Sequence, residues 1–234
     1  MKWIRKWGIP LINWLFPHYC PVCGNRLPIE EQVMCKSCLN KMPRTRYATW
    51  IDNRMARQFW GKFPVERAAA WFFYSRESPY AYMIHLFKYS SRKQLAFDIG
   101  QLIAREMQQT NFFCGIDCII PVPLHPKKQR QRGYNQSELL ARGVAEVICL
   151  PVVCDAVERT LHTETQTHKS AQQRRENMQG AFQAKNNAPQ LAGKHVLLID
   201  DVMTTSSTFT ACADALRDVP GIKFSFLTVA VVDH

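Results

Sequence analysis

One stretch of the sequence decides the fold: Lys194-His195-Val196-Leu197-Leu198-Ile199-Asp200-Asp201-Val202-Met203-Thr204-Thr205-Ser206-Ser207-Thr208. Residues 196–199 form a continuous apolar run of the length typical of a buried parallel strand. Two carboxylates follow this run, and five consecutive hydroxyl residues follow soon after. From Phe209 to Val219, apolar residues recur at roughly helical spacing. The stretch therefore predicts a strand, a polar loop and a helix.

The order of these residue types indicates a sugar-phosphate site. The first backbone N–H groups of a helix lack partners within the helix, and the helix dipole attracts anions to them. Hydroxyls add donors without adding charge, whereas carboxylates accept hydrogen bonds from sugar hydroxyls or bind hydrated Mg²⁺. The alternative is an ordinary Ser/Thr N-cap that follows a strand ending in Asp.

The pattern resembles the signature of type I phosphoribosyltransferases, which bind phosphoribosyl pyrophosphate (PRPP) together with Mg²⁺. The resemblance implies that Asp200 and Asp201 hold the ribose hydroxyls. It also implies that the 5′-phosphate lies against the hydroxyl run, Thr204, Thr205, Ser206, Ser207 and Thr208. The family usually has Gly at the position of Ser206, and Gly permits a positive φ. A serine here is therefore expected to strain the loop or weaken binding.

Length and composition fit a globular chain with an uneven positive charge. The 234 residues are 47% hydrophobic and 21% charged, and the formal net charge is +11. Residues 1–60 hold ten Lys/Arg against three Asp/Glu, whereas residues 191–234 hold three against five. This asymmetry indicates an N-terminal half that faces a polyanion, or simply a soluble basic surface.

The first sixteen residues form an amphipathic pattern. Basic side chains precede an apolar face made of Trp3, Trp7, Leu11, Trp14 and Leu15. This face is expected to dock on the protein itself or, alternatively, to contact a membrane surface or a partner. The segment is too short to span a bilayer and has no small-residue cleavage site. We therefore expect a cytoplasmic chain without a transmembrane segment.

Two C-x-x-C pairs predict a structural metal site. Cys20 and Cys23 are separated by eleven residues from Cys35 and Cys38. Four thiolates supply the ligands of a closed, tetrahedral Zn²⁺ site. Disulfides are the alternative, but nine cysteines is an odd number and no export signal is present. The other five cysteines are expected to be packing residues: Cys114, Cys118, Cys149, Cys154 and Cys212.

The segment 41–65 mixes cations with aromatic residues. Its members are Arg44, Arg46, Arg54, Arg57 and Lys62, with Tyr47, Trp50, Phe59 and Trp60. Charge neutralisation combined with stacking is how proteins bind single-stranded nucleic acid. The alternative is a connector that packs on a domain.

A second apolar strand, 118–123, runs into a basic segment with Lys127, Lys128, Arg130 and Arg132. A basic loop after a parallel strand lies at the carboxyl edge of the sheet, where ligands bind in open α/β folds. Asp200 and Asp201 should lie at the same edge. In phosphoribosyltransferases the corresponding loop takes the pyrophosphate.

More specifically, Pro121-Val-Pro-Leu-His125 followed by Arg132-Gly-Tyr-Asn-Gln136 resembles the ComF/GntX family. These bacterial proteins are similar to phosphoribosyltransferases, have an N-terminal Cys₄ zinc module and are associated with competence, DNA uptake and the use of external DNA. The resemblance implies that the polar loop within residues 155–182 forms a hood over PRPP. Arg174 and Arg175 are then candidate catalytic cations, with plain surface charge as the alternative.

The resemblance and the strand–helix alternation together predict an α/β fold. They imply a Rossmann-like parallel sheet of the type I phosphoribosyltransferase kind with a small N-terminal zinc-ribbon-like module. Residues 1–60 would hold the amphipathic segment, the Cys₄ module and the basic connector, and residues 61–234 the phosphoribosyltransferase-like domain.

Three functions remain open at this point. The first is a PRPP-dependent phosphoribosyltransferase whose acceptor the sequence does not identify. The second is an accessory protein that handles single-stranded DNA and in which PRPP, or a related sugar phosphate, is regulatory or vestigial. The third is a structural partner of a DNA-uptake machinery, associated with the membrane through it.

Overall fold

The protein is described by a computed structural model that covers residues 18–28, 31–89, 92–160 and 180–232. Its central element is a sheet of four parallel strands: β1 (Val65–Tyr74), β2 (Cys118–Pro121), β5 (His195–Met203) and β6 (Lys223–Val232), in the spatial order β1-β6-β5-β2. Two shorter strands, β3 (Val157–Arg159) and β4 (Phe182–Ala184), form a separate antiparallel pair. The predicted α/β fold with a parallel sheet is confirmed.

Seven α-helices accompany these strands within the described residues. They are α1 (Lys36–Lys41), α2 (Arg54–Arg57), α3 (Pro79–Tyr89), α4 (Lys93–Met107), α5 (Pro126–Arg132), α6 (Gln136–Ile148) and α7 (Ser207–Asp214). Short 3₁₀ turns span Tyr47–Thr49 and Ala188–Leu191. None of these helices is both long and apolar enough to cross a membrane.

The core lies in two apolar layers, one on each face of the sheet. Residues of α3, α4 and α6 pack on one face, against side chains such as Trp71 and Leu197. Residues of α2, α7 and the β3–β4 pair pack on the other face, against Leu198 and Phe226. Because β5 and β6 are covered on both sides, their sequences are nearly continuous apolar runs.

Two glycines allow α4 and α6 to pack closely. A Cβ at Gly100 would lie 2.3 Å from the carbonyl oxygen of Leu140, and a Cβ at Gly143 would lie 2.1 Å from that of Phe97. Neither position has room for a side chain. The close contact positions α6, whose N-terminus faces the candidate site described below.

The cysteine module shares the first apolar layer. Cys20, Leu27 and Cys38 are buried in the same cluster as residues of α3 and α4. The Tyr80 hydroxyl donates a 2.7 Å hydrogen bond to the carbonyl oxygen of Cys38. The domain boundary after residue 60 remains a prediction.

Three local predictions need correction. The basic segment expected to be a loop folds as α5, because His125 caps its N-terminus and Pro126 suits the first turn. The strand expected to end before the acid pair continues through Met203, because β6 pairs with it along this length. The helix after the hydroxyl run ends at Asp214, and residues 215–219 follow as turns.

Candidate functional site

The carboxyl ends of β2 and β5 lie side by side. The backbone N–H of Val122 donates to the carbonyl oxygen of Ile199 at 2.9 Å, so the segments after the two strands emerge at the same edge. The basic segment and the acid pair therefore lie at one edge of the sheet, the place where α/β folds bind ligands.

The two carboxylates of the acid pair have different partners. Asp200 Oδ1 accepts hydrogen bonds from the Ser137 hydroxyl at 3.0 Å and from the backbone N–H of Asp201 at 2.8 Å. Asp201 Oδ2 forms a 3.0 Å ion pair with Lys88 Nζ at the end of α3. Its Oδ1 accepts from the backbone N–H of Val202 at 2.6 Å. The pair is thus held by side chains from α6 and α3.

Desolvation and charge raise the pKa of Asp200. Burial raises the pKa to about 7, and the negative charge of Asp201 acts in the same direction. The hydrogen bond from Asp201 N–H, the charge of Lys88 and the hydrogen bond from Ser137 oppose this rise. Asp200 consequently changes protonation near neutral pH, and a cation or a donor that enters the site favours its charged form.

The Arg-Gly-Tyr-Asn-Gln motif positions the partners of the acid pair. Asn135 Nδ2 donates to the carbonyl oxygen of Val122 at 3.1 Å, while its Oδ1 caps α6 by accepting from the N–H of Ser137 at 3.2 Å. Gln136 accepts from Arg132 Nη1 at 3.0 Å and donates to the carbonyl oxygen of Lys88 at 3.5 Å. The motif therefore links β2, α3, α5 and α6 around the site.

Four cations from three elements lie near this edge: Lys88 on α3, Lys128 and Arg132 on α5, and Arg159 on β3. Burial lowers the pKa of Lys128 on α5, and the charges of Arg159, Arg132 and Lys88 add to the effect. Burial also lowers the pKa of Arg159 on β3, whereas the charge of Asp200 raises it. Lys128 is therefore within electrostatic range of Arg159, Arg132 and Lys88. Of these cations, Arg159 and Lys88 also interact with Asp200.

The predicted pyrophosphate residues divide into two groups. Lys128 and Arg132 are half-buried and belong to the group of cations just described, whereas Lys127 and Arg130 are exposed on α5. A helix presents neighbouring residues to different sides, so four cations within six positions do not all face one ligand.

The hydroxyl run joins the acid pair to the N-terminus of α7. Thr204 is exposed, Ser206 and Ser207 are buried, and Thr205 Oγ1 donates to Ser207 Oγ at 3.0 Å. Ser206 has φ −69° and ψ −5°, an ordinary right-handed conformation. The expected strain at Ser206 is therefore wrong, because this loop does not use the positive φ that would call for glycine.

Two residues of the site, Lys88 and Ser137, were not assigned to it from the sequence, and Arg159 was placed only in the predicted hood. They come from α3, α6 and β3, and each reaches the acid pair or its field from a distant part of the sequence. The motif from Arg132 to Gln136 directly precedes Ser137 and could have indicated it, but no local sequence pattern indicated Lys88. The candidate catalytic residues Arg174 and Arg175, with most of the predicted hood, lie outside the described residues.

The four cysteines predicted to bind metal come together. Their Sγ atoms all lie within 4.8 Å of one another, and those of Cys23 and Cys35 are 3.7 Å apart. Tetrahedral zinc with Zn–S bonds of about 2.3 Å requires sulfurs roughly 3.8 Å apart, so the cluster has the dimensions for such an ion. Gly24, with φ +74°, completes the turn after the first pair.

Backbone donors favour the thiolate form of Cys20. Burial alone would raise the pKa of Cys20, but N–H groups of Cys35, Cys23 and Val22 outweigh it and lower the pKa to about 7. Cys35 caps α1 and accepts from the N–H of Cys38 at 3.4 Å. The pKa values of Cys35 and Cys38 are raised, for Cys38 by burial first and then by the neighbouring cysteines. A bound cation would offset this cost, because thiolates are the form that binds metal.

The remaining cysteines only partly follow their prediction. Cys118 and Cys212 are buried, as expected for packing residues, whereas Cys114, Cys149 and Cys154 are exposed. All nine cysteines lie within the described ranges, and none of them forms a disulfide.

Several curated proteins are similar to this chain over most of its length. DNA utilization protein YhgH from Escherichia coli O157:H7 is 31% identical over 201 residues, which cover 84% of this chain and 77% of the relative. Competence protein F from Haemophilus influenzae is 29% identical over 205 residues, covering 86% and 79%. Competence protein ComFC from Bacillus subtilis is 26% identical over 201 residues, covering 86% and 72%. No family model matches the chain.

Solved structures with a similar arrangement include the allosteric regulatory enzyme of purine biosynthesis. Its TM-score is 0.40 and its sequence identity is 17%, and the match covers 61% of this chain and 30% of that one. A hypoxanthine phosphoribosyltransferase from Staphylococcus aureus has a TM-score of 0.35 and 12% identity, covering 58% and 62%. Both scores are below 0.5, and the fold assignment rests instead on the chain's own sheet and its curated relatives.

The parallel sheet flanked by helices and the Cys₄ cluster define an α/β protein with an N-terminal module capable of binding metal. The similarity to the curated competence and DNA utilization proteins is one of sequence, and it extends over most of both chains. This chain belongs to the ComF/GntX family.

Proposed function

We propose that this protein binds PRPP with Mg²⁺ at the carboxyl edge of its sheet and acts in the use of external DNA. The observation that carries the proposal is the placement of Asp200 and Asp201 between a hydroxyl-rich helix N-terminus and a group of cations. A ligand that suits this arrangement needs a diol at its centre and phosphates at both ends. PRPP has this composition.

Each part of the site then has a role. Asp200 and Asp201 accept hydrogen bonds from the ribose hydroxyls, and the segment from Thr204 to Thr208 with the first N–H groups of α7 binds the 5′-phosphate. Lys128 and Arg132 face the pyrophosphate, and Arg159 adds charge from β3. Mg²⁺ would be held by the ligand's oxygens with help from the carboxylates.

Phosphoribosyl transfer is the chemistry such a site supports. A nitrogen nucleophile forms a bond to the anomeric carbon while the bond from that carbon to pyrophosphate breaks, and pyrophosphate leaves with the electron pair. The site stabilises the charge on the leaving group and positions the sugar, without a covalent protein nucleophile. The acceptor is unassigned, and Arg174 and Arg175 remain candidates for the closing hood.

The ion pair between Lys88 and Asp201 would be loosened by this ligand. Sugar hydroxyls that donate to Asp201 compete with the Lys88 ammonium, which is then available for a phosphate oxygen. Lys88 thus neutralises the charge of Asp201 before the ligand enters, and it contributes a positive charge to the ligand afterwards.

The biological part of the proposal rests on the relatives, which are competence and DNA utilization proteins. A reducing compartment such as the cytoplasm suits the unpaired cysteines and the Cys₄ cluster, for which we propose a structural Zn²⁺. Association with an uptake machinery would bring the protein to the membrane through its partners.

The test is calorimetric titration of the full chain with PRPP and Mg²⁺. We expect binding by the wild type and a loss of at least about a hundredfold in affinity for Asp200→Asn/Asp201→Asn, because two hydrogen bonds to charged acceptors are weakened. Asparagine preserves the shape and keeps an acceptor for Ser137, so the fold should persist.

Asp218→Asn is the matched control, since Asp218 is an exposed carboxylate outside the site. It should bind PRPP like the wild type. Equal affinity in the double variant and the wild type would reject the ribose role. If the wild type binds PRPP and the double variant does not, the next step is a search for acceptors by following pyrophosphate release.

A second function, handling of single-stranded DNA, is favoured by the exposed aromatics of the basic connector. Trp50 and Trp60 have exposed fractions of 65% and 44%, and Arg46 and Arg54 are exposed nearby in the sequence. Asn53 holds this loop by donating to the carbonyl oxygens of Trp50 and Ala68. Other members of the segment serve the fold, since Phe59 is buried and Arg44 pairs with Glu106.

Fluorescence titration with oligothymidylate at several salt concentrations separates this function from the first. Trp50→Ala should weaken salt-dependent binding by about tenfold, because one stacked base contributes about 1–3 kcal/mol. Tyr82→Ala, an exposed aromatic on α3, should not change it. Binding that depends on Asp200 and Asp201 but not on Trp50 would reject the connector as the DNA surface.

A further inference from the structure

A groove of about 810 Å³ lies between the cysteine module and α4. His18, Tyr19, Leu27 and Val33 line it on the module side, and Phe97 and Asp98 line it on the helix side. It is separate from the candidate ligand edge, whose residues do not line it. The groove therefore needs an explanation of its own.

The groove offers an apolar floor with a polar rim. Leu27, Val33 and Leu95 are buried at its base, whereas the Tyr19 side chain beside them is 54% exposed. The lining contains two acidic residues, Glu31 and Asp98, and one basic residue, Arg92. Such a surface suits an apolar segment that carries positive charge.

Residues 1–17 have this chemistry. Three tryptophans and two leucines share one face of their helical pattern, and Lys2, Arg5 and Lys6 are not balanced by any acidic residue. The segment joins the described chain at His18, which itself lines the groove. Because the tether has essentially no length, the segment is present at a high effective concentration beside this surface.

The lengths also match. Seventeen residues span at most about 25 Å as a helix, close to the roughly 22 Å of the fifteen-residue α4 that forms one wall. A segment of this size can cover the seam between the module and α4.

We propose that the apolar face of residues 1–17 docks in this groove of the same chain. Docking covers the apolar floor, holds the cysteine module against α4, and removes from solvent a surface that would otherwise be adhesive. The occupant is thus the chain's own N-terminal segment, rather than a membrane or a second copy.

Photo-crosslinking in the full chain tests the occupant directly. A benzophenone amino acid placed at Phe97, which is partly buried on the groove wall, should capture residues of segment 1–17 within one chain. The same group at Tyr82, exposed on α3 and not part of the groove lining, should not capture them. Capture between two chains, or no capture of the segment by Phe97, would overturn the proposal.

Hydrogen exchange provides a second test that does not depend on the crosslinker. In full-length Trp7→Asp/Trp14→Asp, exchange in 18–28 and in α4 should accelerate several-fold, because the apolar face no longer covers these elements. Trp60→Asp, a substitution at an exposed tryptophan on the connector, should leave that exchange unchanged.

A segment reserved for membranes would give a different pattern. Exchange in α4 would be the same in the wild type and in Trp7→Asp/Trp14→Asp, while only the wild type would bind anionic phosphatidylglycerol vesicles. That result would reject docking in the groove.

Discussion

Asp200 lies at the end of a buried strand, where a carboxylate is costly unless it is well paired. Its oxygen accepts from Ser137 and from a backbone N–H, but the neighbouring Asp201 carries a like charge. Burial and that charge prevail and raise the pKa of Asp200 to about 7. Hydrogen-bond donors or a cation from the proposed ligand would favour the ionised form of Asp200.

This assignment predicts a pH dependence of stability. A raised pKa in the folded state means that the stability contributed by protonated Asp200 is fully present below the unfolded pKa of about 3.9. It is lost as pH rises toward and through about 7. The free energy of unfolding should therefore fall with pH across this window in the wild type more than in Asp200→Asn.

Urea unfolding at several pH values between 4.5 and 8, without PRPP, checks this prediction. The difference in unfolding free energy between the two proteins isolates the contribution of Asp200 from the other titrating groups. A difference that does not change with pH would show that Asp200 titrates as it does in the unfolded chain.

At the scale of elements, the cysteine module is built from a tight turn and a short helix. Cys20 and Cys23 lie on the turn completed by Gly24, and Cys35 and Cys38 lie at the N-terminus of α1. These pieces are too small to be stable alone, so metal binding should supply much of their folding energy.

Cys35→Ser should accordingly lose zinc and destabilise the module. We expect a drop from one zinc per chain to none by elemental analysis, together with faster hydrogen exchange in residues 18–41. Cys114→Ser is the control, because Cys114 is exposed and outside the cluster. Full zinc retention in a well-folded Cys35→Ser protein would reject the Cys₄ assignment.

The contact between α4 and α6 belongs to the same scale. On an open helix surface, Gly→Ala would stabilise the helix by up to about 1 kcal/mol. At Gly100 the added Cβ would lie 2.3 Å from the backbone oxygen of Leu140, so the helices must separate.

Gly100→Ala should therefore destabilise the fold by about 1–3 kcal/mol or more, measured by chemical unfolding. Because α6 carries Asn135 as its cap and Ser137 in its first turn, PRPP affinity should fall as well. A gain in stability would show that the two helices are not in contact at this point.

At the scale of the whole molecule, Glu106 joins separate parts of the chain. From α4 it accepts hydrogen bonds from Arg44 Nε at 2.9 Å and Nη2 at 2.6 Å, and from Trp71 Nε1 at 2.7 Å. Arg44 in turn donates to the carbonyl oxygen of Leu39 beside the cysteine module. One carboxylate thus connects α4, β1 and the segment after α1.

Glu106→Gln should lower the free energy of unfolding by about 1–2 kcal/mol, since an amide cannot accept all three bonds and presents donors to the guanidinium. Asp52→Asn is the matched control. This substitution weakens an ion pair in which Arg57 donates two hydrogen bonds to Asp52. It should change stability little, because both side chains are exposed to solvent. Equal effects of the two substitutions would show that the Glu106 network does not hold these parts together.

The sequence by itself determined the elements whose signals are local. The apolar run before Asp200, the spacing of the four cysteines and the helical pattern after the hydroxyl run each follow from neighbouring residues. The structure contains the strand, the cysteine cluster and a helix at these places. The shared edge of β2 and β5 was also predictable, because the segments after parallel strands emerge on the same side of a sheet. Together with the family resemblance, these patterns predicted the parallel sheet and the common edge of the acid pair and the basic segment.

Tertiary structure decided which side chains complete that outline. Lys88 pairs with Asp201 although more than one hundred positions separate them, and Ser137 donates to Asp200 across 63 positions. Both contacts form only because α3 and α6 pack beside β5. In the same way, folding of the basic segment as α5 left Lys127 and Arg130 exposed and brought Lys128 and Arg132 near Arg159 and Lys88. The physical reason is that charges and hydrogen bonds act over a few ångströms, and these distances are set by packing between elements that no local pattern describes.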